Sequence, residues 1–136
     1  MSDKNAHLEM IQGVVNRLSH NSFLLKGWTV VLVSAMFALA AKDTTPRFVY
    51  LALLPGIAFW CLDAYYLWQE RLFRALYDHV RRLPAEGIDF SMDTKRAEAS
   101  KVTWTGALFS KPLLAFHGAI LVSIVTVMVL LSAAAE

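Results

Sequence analysis

Apolar residues run along this chain in three nearly unbroken stretches; elsewhere they recur at helical spacing. The stretches are Phe23 to Ala41, Phe48 to Leu67 and Pro112 to Ala134. Each approaches or exceeds the roughly 20 mostly apolar residues that a helix needs to cross a bilayer core, so the pattern predicts three transmembrane helices. The connection KDTTPR between the first two is short and predicts an antiparallel hairpin. Ahead of the first stretch, Leu8, Ile11, Val15 and Leu18 sit at helical spacing within residues 5 to 20. They predict an amphipathic helix that lies on the bilayer or on the rest of the fold and leads into span one. Gly13 weakens that helix by about 1 kcal/mol relative to alanine.

The second span does not stop at the membrane. No Gly or Pro interrupts residues 57 to 83, and Pro84 supplies the stop. Leu72, Leu76, Val80 and Leu83 make one stripe, widened by Phe73 and Tyr77. A helix from Phe48 to Leu83 is ~54 Å long at about 1.5 Å per residue, enough to cross the bilayer and project beyond it. Glu70 with Arg74, and Asp78 with Arg82, are acid-before-base pairs that support such a projection. An apolar stripe on it needs a partner. Within the chain only the N-terminal helix and residues 94 to 109 offer one, so neighbouring copies are expected to complete it as a homo-oligomer. Beyond Pro84, PAEGID reads as a turn-rich loop, Asp93 or Thr94 as the cap of a short helix through Lys101, VTWTGALF as interfacial, and Ser110 to Pro112 as the start of span three. The expected organisation is an all-α integral membrane protein: a cytoplasmic amphipathic helix (1–22), a transmembrane hairpin (23–67), a cytoplasmic helical extension and loop (68–111), and a third transmembrane helix (112–136).

Composition agrees, because 57% of residues are apolar, too many for an ordinary soluble domain of this size. The single cysteine, Cys61, excludes an intrachain disulfide. The net charge of +2 is unremarkable, but its distribution is not. Of the 13 basic residues, all except Lys42 and Arg47 lie on the N-terminal side or in the loop between spans two and three. The bias of basic residues toward the inside then places the N-terminus and the long loop in the cytoplasm and the C-terminus outside. Trp28, Trp60, Trp68 and Trp104 fall near the cytoplasmic interface in that arrangement, as an aromatic belt does. ALA at 38 to 40 resembles a signal-peptide cleavage site, but the leading region is too long and too acidic for one.

Three ionisable residues lie in or beside the spans: Lys26, Asp63 and His117, all near the cytoplasmic end. Such groups are costly in a bilayer and face protein or water. The first expectation is an ion pair between Asp63 and Lys26 with His117 beside it. The second is that Asp63, repeated around an oligomer, forms an acidic ring at a pore mouth and favours cations. Ser34 with Ala38 in span one, and Gly118, Ser123 and Thr126 in span three, leave either span free to approach an axis or a neighbour. His7, His20, His79 and His117 are scattered without metal-ligand spacing, and neither a phosphate loop nor a nucleophile–base motif is present. No enzyme, metal or cofactor is therefore expected. Arg71, Arg74, Arg81, Arg82, Lys95 and Arg96 are candidates for an anionic ligand or lipid headgroups, although the positive-inside bias accounts for them without a ligand.

The segments NSFLLKGW and FWCLDAYYLWQERLFRALYDHVR resemble motifs of small bacterial inner-membrane proteins, some called RipA-like octameric membrane proteins and others membrane effectors of antiphage defence of the Hailong type. The resemblance covers roughly residues 16 to 83. In its Hailong-like branch it implies an oligomeric ion channel that depolarises the inner membrane, controlled by a nucleotide or oligonucleotide signal from a partner nucleotidyltransferase. It assigns no ligand-binding residue. The alternative expectation is a non-conducting oligomeric scaffold that recruits a cytoplasmic partner.

Overall fold

The computed structural model describes residues 2–43 and 46–134 and is 85% helix, with no strand among the described residues. Helix α1 runs from Asp3 to Asp43 and α2 from Arg47 to Arg81; a loop with 3₁₀ turns at Ala85–Gly87 and Thr94–Ala97 leads to the short α3, Trp104–Leu108, and then to α4, Lys111–Ala134. Helices α1, α2 and α4 are each long and apolar enough to cross a membrane.

The amphipathic stretch and span one are not separate elements, since α1 passes the expected boundary at residues 22 and 23 without a break. Gly13 and Gly27 cost helix propensity, but no packed neighbour lies near their missing Cβ positions, and one continuous hydrogen-bond ladder outweighs them. Helix α1 is therefore ~62 Å long at about 1.5 Å per residue, and the 35-residue α2 is ~52 Å. The two lie alongside each other as the principal helix pair. Helix α2 contains Pro55 and ends at Arg81, slightly before the expected Leu83; the Arg82 N–H donates to the His79 carbonyl and the Leu83 N–H to the Val80 carbonyl, which closes it. Arg82 is thus outside the helix, and Asp78 pairs with Arg81 at 3.5 Å rather than with Arg82. Glu70 and Arg74 approach to 3.6 Å.

Part of the stripe on α2 packs within the same chain, on the N-terminal half of α1, which is one of the two intrachain partners the sequence offers, and on the loop that follows α2. Leu76 and Val80 are buried against Ile11 of α1, and Leu8, Phe73, Tyr77, Leu83, Ile88, Met92 and Ala97 pack around them. The loop after α2 folds back and lays Ile88 and Met92 on the stripe. His7, 1% exposed, ties the loop down through a 2.8 Å hydrogen bond between its Nε2 and the Ser91 carbonyl. Phe90 and Glu98 adopt left-handed φ of 56° and 50°, which non-glycine residues seldom do. Asp93 caps the start of the second 3₁₀ turn by accepting from the Lys95 N–H, and the turn ends after Ala97 at left-handed Glu98, short of the helix expected through Lys101. Leu72 stands apart and lines a groove with Trp68 and Lys95.

Between the spans, Val33 and Ala40 of α1, Val49 and Ala52 of α2, and Ile124 of α4 form a second buried cluster. A Cβ on Gly56 would come within 3.3 Å of Ile124 Cδ1, so the bare glycine sets how closely α2 and α4 approach. A third cluster joins Ala64, Ala107 and Leu113, with Trp60, Trp68 and Trp104 around it. The indole N–H groups donate to backbone carbonyls: Trp60 to Leu108 at 3.0 Å, Trp104 to Cys61 at 3.2 Å, and Trp68 to Val102 at 3.3 Å. These three side chains stitch α2 to residues 102–108; only Trp28 is largely exposed. Outward positions such as Leu54, Val122, Val129 and Leu130 are apolar and more than 60% exposed, a surface suited to hydrocarbon and not to water.

A candidate intramembrane charge network

Asp63 has no exposed surface, and its two oxygens are engaged from two other helices. Oδ1 accepts from the Ser22 hydroxyl on α1. Oδ2 lies 2.6 Å from Lys26 Nζ, also on α1, and 2.8 Å from His117 Nε2 on α4. Lys26 in turn donates to Ser22 Oγ at 2.8 Å. Ser22 and Lys26 are four apart, so one face of α1 presents both, which requires the helix to continue through residue 22 as it does.

Every member is held by packing. The His117 ring is also 0% exposed, stacks on Trp60 at 6.4 Å with planes 18° apart, and meets Phe116 edge-on at 5.0 Å. The Trp60 bond to Leu108 orients that stack. With Asp63 as acceptor, His117 Nε2 is the donor; its Nδ1 is covered and has no hydrogen-bond partner among the described residues. Lys26 retains 24% exposure and its ammonium lies 6.0 Å from the Phe116 ring centroid. The network therefore brings a carboxylate, an ammonium, a hydroxyl and an imidazole from three separate helices to one level. It cross-links the ends of the spans where the sequence concentrates charge.

The structure thus gathers Asp63, Lys26 and His117 and adds Ser22, which sequence reasoning missed. Its signal was the four-residue spacing to Lys26, hidden by treating residue 22 as a boundary. The acidic-ring expectation needs Asp63 to face water, and within the protomer it does not: Ser22, Lys26 and His117 occupy its oxygens. A cavity of about 190 Å³, walled in part by Ser22 and Lys26, lies beside the network.

The candidate basic cluster is not gathered in the same way. Arg74, Arg81 and Arg96 contact Glu70, Asp78 and Asp89 of their own chain. Arg82 and Lys95 are exposed and Arg71 is half-buried. Arg74 and Lys95 line different grooves. The stripe residues Leu72, Phe73, Leu76, Tyr77, Val80 and Leu83 are all buried or half-buried within the protomer.

No family model, curated protein or solved structure matches the chain.

Proposed function

We propose that this protein is a homo-oligomeric, channel-type effector of the bacterial inner membrane. Its N-terminus and long loop lie in the cytoplasm and its C-terminus lies outside. When released from control by a nucleotide or oligonucleotide signal, supplied by a partner nucleotidyltransferase, it depolarises the membrane in antiphage defence. The observation that carries this reading is the bonded network of Ser22, Lys26, Asp63 and His117, which ties the three candidate spans together. NSFLLKGW contributes Ser22 and Lys26 to it, and FWCLDAYYL contributes Asp63, so the two motifs that resemble defence effectors meet at one site. In this reading the network is a lock: while Asp63 is engaged the spans stay closed on one another, and breaking it lets them move apart. Three spans are too few to enclose a water-filled path, so conduction requires several copies.

A non-conducting scaffold is the second reading, and two specific observations favour it. Asp63 is fully covered in a single protomer, and the stripe on α2 is capped by the chain's own loop. The scaffold would recruit a cytoplasmic partner through residues 64–109.

The deciding experiment is ion flux through purified protein in liposomes, with oligomer mass measured on the same preparation and with nucleotides and short oligonucleotides added. Flux from an oligomer, with or without an added signal, is the expected result. A monomer in detergent that passes no ions overturns the channel. A clean oligomer that stays silent with every added signal favours the scaffold.

A further inference from the structure

The cavity beside the network has a chemistry of its own. It measures about 190 Å³ and is walled by Ser19, Ser22 and Lys26 from α1, Tyr66 and Glu70 from α2, and Leu113 from the first turn of α4, among others. These residues share one level. Ser22 and Lys26 flank the start of the first apolar stretch, Tyr66 and Glu70 the end of the second, and Leu113 the start of the third. In helices that cross a bilayer, that level is the headgroup boundary.

Opposite charges reach this cavity from different helices. A lysine ammonium carries three N–H donors; Lys26 gives two of them to Asp63 and Ser22 and is still 24% exposed. Glu70, from α2, is only 12% exposed, and Arg74 approaches it to 3.6 Å, too far for a hydrogen bond. The Glu70 carboxylate thus keeps acceptor capacity in a partly desolvated setting. Ser19 and Tyr66 add hydroxyls, and Leu113 an apolar wall. A simple anion would meet Glu70 and a simple cation would meet Lys26, so neither suits the site. A zwitterion with a phosphate at one end and a primary ammonium at the other satisfies both. The volume equals that of roughly six waters at about 30 Å³ each, comparable to a phosphoethanolamine group.

We propose that this cavity binds the headgroup of an aminophospholipid from the surrounding leaflet, with the phosphate on Lys26 and Ser19 and the ammonium on Glu70. The phosphate then competes with Asp63 for Lys26, which couples lipid occupancy to the network. The inference rests on the helices crossing a bilayer and is independent of conduction.

Native mass spectrometry of the detergent-purified full chain tests it, with phosphatidylethanolamine, phosphatidylcholine and phosphatidylglycerol offered at equal concentration. Phosphatidylethanolamine should be retained about tenfold over the other two, the discrimination expected from one charge-assisted hydrogen bond. Phosphatidylcholine has no N–H for Glu70 and phosphatidylglycerol has no ammonium. Glu70→Gln should abolish that preference and raise phosphatidylglycerol retention, because the carboxylate that disfavours an anion is gone. Glu70 lies outside the network and its approach to Arg74 is too long for a hydrogen bond, so the isosteric variant should fold with an unchanged circular dichroism spectrum and melting point. The double variant Lys26→Met with Asp63→Asn, which removes both charges together, should weaken retention of all three lipids. Equal retention of the three lipids by the native chain, or a preference that survives Glu70→Gln, overturns the site. Soluble phosphoethanolamine that displaces the lipid at comparable concentration overturns the lipid source. Silent liposomes with intact lipid selectivity would remove the channel and leave this inference standing.

Discussion

Asp63 is the residue on which three helices converge, and its situation explains why a carboxylate persists near the end of an apolar span. A buried charge is tolerated when its counter-ion and hydrogen bonds are in place, and removing one partner leaves the others uncompensated. Asp63→Asn should therefore destabilise the protein by about 3 kcal/mol, read as a lower melting temperature in detergent. Lys26→Met added to Asp63→Asn should recover much of that loss, because the unpaired ammonium disappears with its partner. Failure of the double variant to improve on the single one would mean that Lys26 is held by something other than Asp63. At this scale the pairing of Lys26 with Asp63 was legible, since two opposite charges at similar depth in neighbouring antiparallel spans have few alternatives. Ser22 was not legible, because a hydroxyl of weak hydropathic character gains a role only once α1 continues through it.

At the scale of elements, α2 carries the stripe that the sequence displays most openly, and its packing is intrachain. Leu76 is 1% exposed in contact with α1 and the returning loop. Leu76→Ala should cost about 2–5 kcal/mol and lower the protomer's own melting temperature. A variant that melts as before but dissociates would place the stripe between copies instead. Between α2 and α4 the constraint is space. Gly56→Leu puts a branched side chain where a single Cβ already lies 3.3 Å from Ile124. It should cost about 1–3 kcal/mol through overpacking, checked by thermal unfolding against Gly27→Leu, where nothing crowds the Cβ position.

The loop that covers the stripe has a charge-dependent clasp. The Ser91 N–H donates to Asp89 Oδ1 at 3.1 Å. This bond, with partial desolvation opposing it and Arg96 reinforcing it, holds the Asp89 carboxyl below its ordinary range. The unfolded loop therefore binds the proton more readily than the folded one. The contribution is complete above the ordinary aspartate value of about 3.9 and is lost as pH falls through the lower folded value. Amide exchange across residues 84–97, corrected for intrinsic rates, should accelerate below about pH 4 in the native chain. In Asp89→Asn the acceleration should be absent.

For the whole molecule, the prediction concerns direction across the membrane. The proposed topology, drawn from the asymmetry of basic residues, has the loop inside and the end of α4 outside. In a Cys61→Ser background, Ser100→Cys should react with a membrane-impermeant thiol reagent only when the inner face is exposed, and Ser132→Cys from the outer face of intact cells. Both positions are exposed in the protomer, so burial does not confound the comparison, and labelling from the opposite faces would invert the proposed topology.

Helical character and three segments able to cross a membrane were legible in the order of residues alone, because hydropathy and helix length are local properties summed over about 20 residues. The same order also pointed to a helix start near Ser110 to Pro112, where α4 begins at Lys111, and identified Asp63, Lys26 and His117 as ionisable groups at one depth. What meets what came from the packing. It ran α1 unbroken past residue 22, assigned the stripe on α2 to α1 and the loop, gave three tryptophan N–H groups to backbone carbonyls, and closed Ser22, Lys26 and His117 over Asp63. A periodic apolar face states that a partner is needed but not which one. The choice among the chain's own loop, a second copy and lipid depends on the path of a connecting segment, and the left-handed backbone at Phe90 and Glu98 in that segment is not encoded by apolar periodicity.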